Sequence, residues 1–364
     1  MFNSLFNKFF PTPDFLTMPS FGLDISDEAL KFVKLVNTSD GIRVNRYGER
    51  KIAPGIVEAG EIKNPKKLKE ILLSLKQDEG FDFVRISLPE RPSYLFDLKL
   101  NKFGLENIKE SIEIALEEHI PIPAENAVFD YEIIKEDPQN LKIQVAAITK
   151  KVIDSYILLF DECNIVIKSL ELEAQAISRA IIKSNDPETY MIVDFGENRS
   201  GIFIVSNNII VFTSTLDMGG SLITNAIKEK LNINLEEAEE LKKKYALKIN
   251  MKNEDDKNKE IYSIILNNIT ILSDEIIKHF SYWHTHKNED GKDNPSIKKI
   301  ILCGGGSNLI GFSEYLSAKI KHKTEVANVW VNILDTEKYI PEISYRQTLS
   351  FAAAIGLALG DFKS

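Results

Sequence analysis

Two aspartates stand at matching positions in the two halves of the chain, each at the end of an apolar run. Asp24 closes one run and Asp194 closes the other. A small residue follows two positions later, Ser26 in the first case and Gly196 in the second, and another apolar run comes next. The pattern predicts a strand–turn–strand hairpin at each site.

Such hairpins have the chemistry needed to hold a phosphorylated ligand. Backbone N–H groups of a tight turn can bind phosphate oxygens without a cationic side chain. A carboxylate at the strand end can hold Mg²⁺ directly or through water. One aspartate alone would be read as a turn former. Two facing hairpins would clamp a metal-bound triphosphate, so we predict that Asp24 and Asp194 hold Mg²⁺.

A third element combines a buried strand with a run of glycines. The segment 299–316 reads as a strand, then Gly304, Gly305 and Gly306, then a helix. Glycines at that position allow close approach of a ligand to the backbone, and a helix N-terminus favours anions. The segment matches neither the Walker A loop nor the dinucleotide-binding fingerprint. The simpler alternative is an ordinary strand-to-helix turn.

The repeated hairpin predicts an α/β fold with two lobes and a duplicated core. The predicted domains are an amphipathic tail (1–20), a first lobe (21–187) with an inserted α+β subdomain (about 91–166), a second lobe (188–345) with an outer subdomain (about 231–296), and a C-terminal helix that returns to the first lobe (346–364). The tail carries a stripe of apolar residues at helical spacing: Phe2, Leu5, Phe6, Phe9 and Phe10.

Composition narrows the class of protein further. The 364 residues carry a net charge of −9, spread along the chain without a basic stripe, so nucleic-acid binding is not indicated. Cys163 and Cys303 lie in apolar runs, which predicts buried thiols and a reducing compartment. No apolar stretch is long enough for a transmembrane helix.

The order of these elements resembles the actin-like ATPase superfamily, with its ribonuclease H-like duplicated fold. Within it, the chain is most similar to the PilM family of type IV pilus assembly proteins, which is related to the division protein FtsA. Three short segments support this closer resemblance, namely Val84–Glu90, Ile120–Pro123 and Leu170–Arg179.

The resemblance implies a set of residues that would contact ATP and Mg²⁺. They are Asp24 and Ser26 in the first phosphate motif, Asp194, Gly196 and Ser200 in the second, Gly219 and Gly220 after it, Glu239 and Lys242 beside the ribose and adenine, and Gly304, Gly305 and Gly306 in the adenosine motif. Without the resemblance, the helix bearing Glu239 and Lys242 would be read as a solvated face. No catalytic constellation is found.

The first phosphate motif departs from the family pattern. The family turn carries glycine and then hydroxyl residues, whereas this chain has Ser26, Asp27 and Glu28. Serine lacks the backbone freedom of glycine, and the two acids place negative charge where phosphates would lie. We therefore expect weakened nucleotide binding, with weak or absent ATPase activity.

The resemblance also implies a partner and a location. The chain would be a cytoplasmic scaffold, peripheral at the inner face of the cell membrane, that captures the N-terminal cytoplasmic peptide of a bitopic, PilN-like pilus protein. Self-association is a further possibility. Two other functions remain open at this point, an FtsA-like membrane tether and a sugar-kinase-like phosphotransferase.

Overall fold

The structure is a computed structural model that describes residues 18–39, 41–102, 107–245, 247, 256–287, 291–333 and 339–362. The apolar stripe of the predicted N-terminal tail lies outside these residues. In the described part of the chain the strands are β1 Phe21–Ile25, β2 Ala29–Thr38, β3 Gly41–Lys51, β4 Val57–Glu58, β5 Glu61–Ile62, β6 Phe83–Leu88, β7 Ser93–Asn101, β8 Ala127–Glu136, β9 Asn140–Thr149, β10 Val166–Leu172, β11 Thr189–Phe195, β12 Ser200–Ser206, β13 Ile209–Leu216, β14 Ile297–Cys303 and β15 Thr324–Val326.

The α-helices alternate with these strands. They are α1 Pro65–Glu79, α2 Ile108–His119, α3 Lys150–Glu162, α4 Glu173–Ile181, α5 Gly220–Leu231, α6 Leu235–Tyr245, α7 Asp256–Thr285, α8 Phe312–Ile320, α9 Tyr345–Thr348 and α10 Ala352–Leu359. None of the helices in the described residues is both long and apolar enough to cross a membrane.

Two five-stranded sheets have the same topology, as the repeated hairpins predict. The first has the order β10-β6-β1-β2-β3 and the second the order β13-β12-β11-β14-β15. In the first sheet, β1 pairs antiparallel with β2 and parallel with β6. In the second sheet, β11 likewise pairs antiparallel with β12 and parallel with β14. The two-lobed α/β fold with a duplicated core is therefore confirmed.

Helices and sheets alternate in layers. Helices α4 and α10 pack between the two sheets and share one apolar core with β2, β11 and β14. On the outer face of the first sheet, α1 and α3 complete a second core. On the outer face of the second sheet, α5, α7 and α8 complete a third. Helices α4 and α10 thus pack against the strands of both hairpins.

Two glycines allow the sandwiched helix α10 to lie unusually close to its neighbours. A Cβ added at Gly22 of β1 would lie 2.0 Å from the Ala354 carbonyl oxygen, and one at Gly356 would lie 1.7 Å from that of Ala176. Just beyond α10, Asp361 accepts hydrogen bonds from the Ser20 backbone N–H and from the Arg85 guanidinium. The segment just after α10 therefore contacts the residue that precedes β1 and the Arg85 side chain of β6.

The three-stranded sheet β7-β9-β8 and helix α2 form a separate small core within the first half of the chain. Helix α3, which the sequence prediction placed in the same inserted subdomain, packs instead into the core behind the first sheet through Tyr156 and Phe160. We propose that the insertion ends at Thr149. The remaining domain boundaries stay predictions.

Gly356→Ala tests the close packing of α10. In an ordinary helix interior this change stabilises a protein by about 0.5–1 kcal/mol. Here the added methyl group would clash with a backbone carbonyl, so we expect the free energy of unfolding to fall by about 1–3 kcal/mol in urea denaturation. Gly305→Ala is the control, since its nearest neighbour would be Ser350 Cβ at 3.8 Å. Equal or higher stability of Gly356→Ala would contradict this packing.

Candidate functional site

The two hairpin aspartates converge on one cavity of about 90 Å³ between the sheets. Asp24 accepts a hydrogen bond of 2.7 Å from the Ser87 hydroxyl. Asp194 accepts a weaker one from the Cys303 thiol, with the sulfur 3.6 Å from Oδ1. Strands β1 and β11 hold equivalent positions in two sheets of the same topology. Their carboxyl ends place the two aspartate side chains at the same cavity.

Six carboxylates, not two, line this cavity. Beside Asp24 and Asp194 they are Glu28, Glu90, Glu173 and Glu197. Burial and the charge of Asp24 raise the pKa of Asp194 to about 6. Burial raises the pKa of Glu90 to about 7, although the Ala174 backbone N–H stabilises its charged form. Burial and the neighbouring carboxylates raise the pKa of Glu173 as well.

Sequence reasoning did not single out Glu90 or Glu173. Glu90 lies two residues after the end of β6, and Glu173 is the first residue of α4. Neither position carries a local motif, but both follow strands that run parallel to β1 in the first sheet. A rule that inspects acids just beyond the carboxyl ends of parallel strands would have found both.

The first turn is sealed by its own serine. The Ser26 N–H donates to the Ala29 carbonyl at 2.9 Å, and the Ala29 N–H donates to Ser26 Oγ at 3.2 Å. None of the residues Ser26, Asp27 and Glu28 has a positive φ. The expected need for glycine at this turn is therefore absent, and a β-carbon fits.

The acidic side chains of the first turn reach across the cleft to the second turn. Asp27 Oδ1 accepts a hydrogen bond of 3.2 Å from the Arg199 guanidinium, and Glu28 accepts one from the Asn198 amide. Asp27 also accepts from the backbone N–H groups of Ala59 and Gly60, both at 3.1 Å. Burial, Glu197 and Asp27 together raise the pKa of Glu28.

The second turn closes against the start of α5. The Gly196 N–H donates to the Arg199 carbonyl, and the Gly196 carbonyl accepts from the Gly220 N–H at 3.0 Å. A Cβ at Gly219 would lie 2.1 Å from the Glu197 carbonyl oxygen, so only glycine fits there. Ser200 is fully buried behind the turn, where its hydroxyl donates to the Met218 carbonyl.

Glu239 and Lys242 are paired with each other beside this helix. Lys242 Nζ lies 2.5 Å from a Glu239 carboxylate oxygen, and Lys242 also donates to the Gly220 carbonyl and the Thr224 hydroxyl. The Thr224 hydroxyl donates to Glu239 at 2.6 Å. The two side chains therefore lie next to the second turn and are not a freely solvated face.

The glycine run after β14 packs against the end of β11. Gly304 has a φ of +80°, and a Cβ there would lie 2.4 Å from Asp194 Oδ1. A Cβ at Gly306 would lie 2.6 Å from the Phe195 ring. Gly305 has open space in front of it and begins a short 3₁₀ turn, Gly305–Asn308, before α8. Two of the three glycines are thus needed by the protein's own packing.

The structure brings the predicted site residues together in part. Asp24, Ser26, Asp194 and Gly196 line the cavity itself. The other predicted residues lie behind or beside these four: Ser200, Gly219, Gly220, Glu239, Lys242, Gly304, Gly305 and Gly306. Ligand pockets usually measure about 300–1,000 Å³, so this cavity of about 90 Å³ is too small for a whole nucleotide.

A divalent cation suits the chemistry of this cavity. Besides burial, the charge of Asp24 raises the pKa of both Asp194 and Glu173, and the charge of Asp194 raises that of Glu173, so a cation would relieve this repulsion. Among the described residues, no group of three or more histidine, cysteine, aspartate or glutamate side chains forms a ready-made metal site. Any Mg²⁺ would therefore need ligand oxygens and water beside the carboxylates.

Comparison with known proteins identifies the family. The family model described as type IV pilus assembly protein PilM matches residues 22–362. A solved PilM-PilN type IV pilus biogenesis complex contains a chain with 21% identity and a TM-score of 0.76, and the alignment covers 95% of this chain and 99% of that one.

Two further solved structures share the fold alone. Ethanolamine utilization protein EutJ from Carboxydothermus hydrogenoformans has 14% identity and a TM-score of 0.56, with 93% of this chain and 89% of that chain covered. ADP-bound MreB5 of Spiroplasma citri has 13% identity and a TM-score of 0.56, with 92% and 94% covered.

The buried carboxylates predict a pH-dependent stability. The native pKa of Asp194, about 6, lies above its unfolded value near 4. Between pH 4 and pH 6 the Asp194 carboxyl is therefore protonated in the native state more often than in the unfolded state. The free energy of unfolding then falls as pH rises from about 4 to about 6. We expect Asp194→Asn to raise the unfolding free energy at pH 8 by about 1–3 kcal/mol and to have little effect at pH 4.

Urea denaturation across this pH range is the measurement. Asp161→Asn, at an exposed position, removes the same charge and should leave the pH profile of the wild type unchanged. An Asp194→Asn profile parallel to that of the wild type would contradict the buried, proton-binding environment.

Proposed function

The chain belongs to the PilM family of type IV pilus assembly proteins, and from that membership we propose that it is a nucleotide-responsive scaffold at the cytoplasmic face of the inner membrane. Its cleft would take ATP with Mg²⁺, and its inserted subdomain would capture the cytoplasmic tail of a PilN-like protein. The matched family is that of pilus assembly, so the division tether and the sugar kinase are not pursued further.

One observation carries the nucleotide part of the proposal. The carboxyl ends of β1 and β11, with their two turns, meet at a single cavity between the sheets. In open α/β sheets, ligands bind just outside the carboxyl ends of the strands. MreB5, which shares the fold, was solved with bound ADP.

In this proposal Asp24 and Asp194 hold Mg²⁺, which would neutralise phosphate charge when bound. Asp194 is held in place by Gly304 and the Cys303 thiol, and Asp24 by the Ser87 hydroxyl. The paired Glu239 and Lys242 would contact the nucleoside part beside α5. We propose that the nucleotide acts as a conformational ligand, closing or opening the lobes, with little hydrolysis.

A groove of about 330 Å³ supports the second part of the proposal. It lies between β8, an edge strand of the three-stranded sheet, and β10, an edge strand of the first five-stranded sheet. Edge strands present unpaired backbone groups, so an extended peptide can add to them and place alternate side chains in pockets. Its lining is mainly apolar, with Leu88, Leu95, Val128, Ala146, Ile148, Leu170 and Leu172.

The charge of the groove favours a basic or neutral tail. Asp130, Glu132 and Glu171 lie among its lining residues, and none of the lining residues is basic. Glu171 is already paired with Arg85 and Arg179, so Asp130 and Glu132 are the acids that face an incoming peptide. Capture of such a tail would hold the protein at the membrane through its partner. The chain in the solved complex was obtained together with PilN.

Calorimetric titration with Mg-ATP tests the cleft. The wild type should bind, and Asp194→Ala should lose at least about tenfold in affinity, because a carboxylate facing the metal is removed. Asp161→Ala is the matched control and should bind like the wild type. No heat with the wild type, or equal binding by Asp194→Ala, would contradict the assignment.

Fluorescence polarisation with a labelled N-terminal peptide of the cognate PilN-like protein tests the groove. Leu170→Lys places a charge among the apolar lining residues and should weaken binding at least about tenfold. Val166→Lys lies on the same strand, at an exposed position that does not line the groove, and should have little effect. Equal affinity of both variants and the wild type would place the peptide elsewhere.

A further inference from the structure

The acidic first turn does more than shape its hairpin. Ser26 alone supplies the hydrogen bonds that close the turn, through its N–H and its hydroxyl. Glu28 accepts one long hydrogen bond of 3.5 Å from the Ser26 hydroxyl within the turn. The carboxylates of Asp27 and Glu28 also accept hydrogen bonds from Arg199 and Asn198 of the opposite lobe. A role for these acids as simple turn formers therefore leaves their main contacts unexplained.

Asp27 is held rigidly in place for this contact. Its two oxygens accept hydrogen bonds from the Ala59 and Gly60 backbone N–H groups in addition to the Arg199 guanidinium. Gly60 is itself fixed, since its carbonyl accepts from the buried Tyr156 hydroxyl at 3.0 Å. Both members of the ion pair are largely shielded from solvent, with side-chain exposures of 17% for Asp27 and 24% for Arg199.

The partner side is fixed as well. The Asn198 amide donates to Glu28 while its carbonyl oxygen accepts from the Ser221 hydroxyl at 2.8 Å. Ser221 belongs to the first turn of α5, and its N–H donates to the Glu197 carbonyl. The Asn198 amide and the Arg199 guanidinium of the second turn thus each donate to a carboxylate of the first turn.

A phosphoryl group would use the same kind of contact. Phosphate and carboxylate oxygens are both anionic acceptors, and an arginine guanidinium pairs with either. We propose that Asp27 and Glu28 act as a built-in ligand that bridges the two turns in place of a nucleotide phosphate. The lobes are then closed without nucleotide, and a nucleotide must displace these carboxylates from Arg199 and Asn198 to enter. The small volume of the cavity between the turns agrees with this closed state.

This inference rests on the proposed nucleotide cleft and makes Asp27 and Glu28 the residues that set its affinity. Binding of a fluorescent ATP analogue with Mg²⁺ is the first test. Asp27→Asn/Glu28→Gln keeps the side-chain shapes but removes two negative charges and one acceptor oxygen from each side chain, and its affinity should rise at least about tenfold. Glu117→Gln/Glu118→Gln removes two exposed charges on α2 and should bind like the wild type. An affinity of Asp27→Asn/Glu28→Gln no higher than that of the wild type would overturn the inference while leaving the nucleotide cleft intact.

A second measurement needs no nucleotide. Spin labels at Lys66→Cys on α1 and Glu229→Cys on α5 report the distance between the lobes. Without nucleotide, Asp27→Ala/Glu28→Ala should shift the distance distribution to longer values than the wild-type background, and Glu117→Gln/Glu118→Gln should not. Identical distributions in all three proteins would overturn the inference, whatever the nucleotide result. Absence of nucleotide binding in every variant, with the shift present, would contradict only the proposed cleft.

Discussion

The contact between the two hairpin turns is the constraint on which the cleft depends. Asp27 and Glu28 of the first lobe contact Arg199 and Asn198 of the second, and Glu28, Asn198 and Arg199 also line the cavity. The exposed pair of Arg91 and Asp217 also spans the lobes but is screened by solvent. Of these two ion pairs, that of Asp27 and Arg199 is the more shielded from solvent.

Behind this contact, the cavity concentrates negative charge at a cost in stability. Asp194, Glu90 and Glu173 are half-buried residues whose carboxyl pKa values are raised mainly by burial. Such an arrangement is destabilising for a protein on its own, and it becomes favourable when a cation enters. The packing that holds the carboxylates in place, with Gly22 and Gly356 admitting α10 between the sheets, supplies the rigidity that this arrangement needs.

The sequence allowed the fold and half of the site to be predicted. The repeated pattern of an apolar run, an aspartate and a small residue predicted the two identical sheets, because strand periodicity and turn chemistry are local. It also placed Asp24 and Asp194 at one cavity. The contacts of Asp27 and Glu28 could not be predicted, since their partners lie about 170 residues away. That these two acids weaken nucleotide binding stays a prediction, to which the structure adds their pairing with the opposite turn. Glu173 was missed because no local motif marks it, and its place at the cavity depends on the parallel pairing of distant strands.

A double-mutant cycle between Asp27 and Arg199 tests the central claim most directly. The unfolding free energies of the wild type, Asp27→Asn, Arg199→Gln and the double variant give the coupling between the two side chains. The account predicts a favourable coupling of at least about 0.5 kcal/mol, as for residues in direct contact within a hydrogen-bonded network. Additive effects of the two substitutions, with no coupling, would contradict the bridge between the turns.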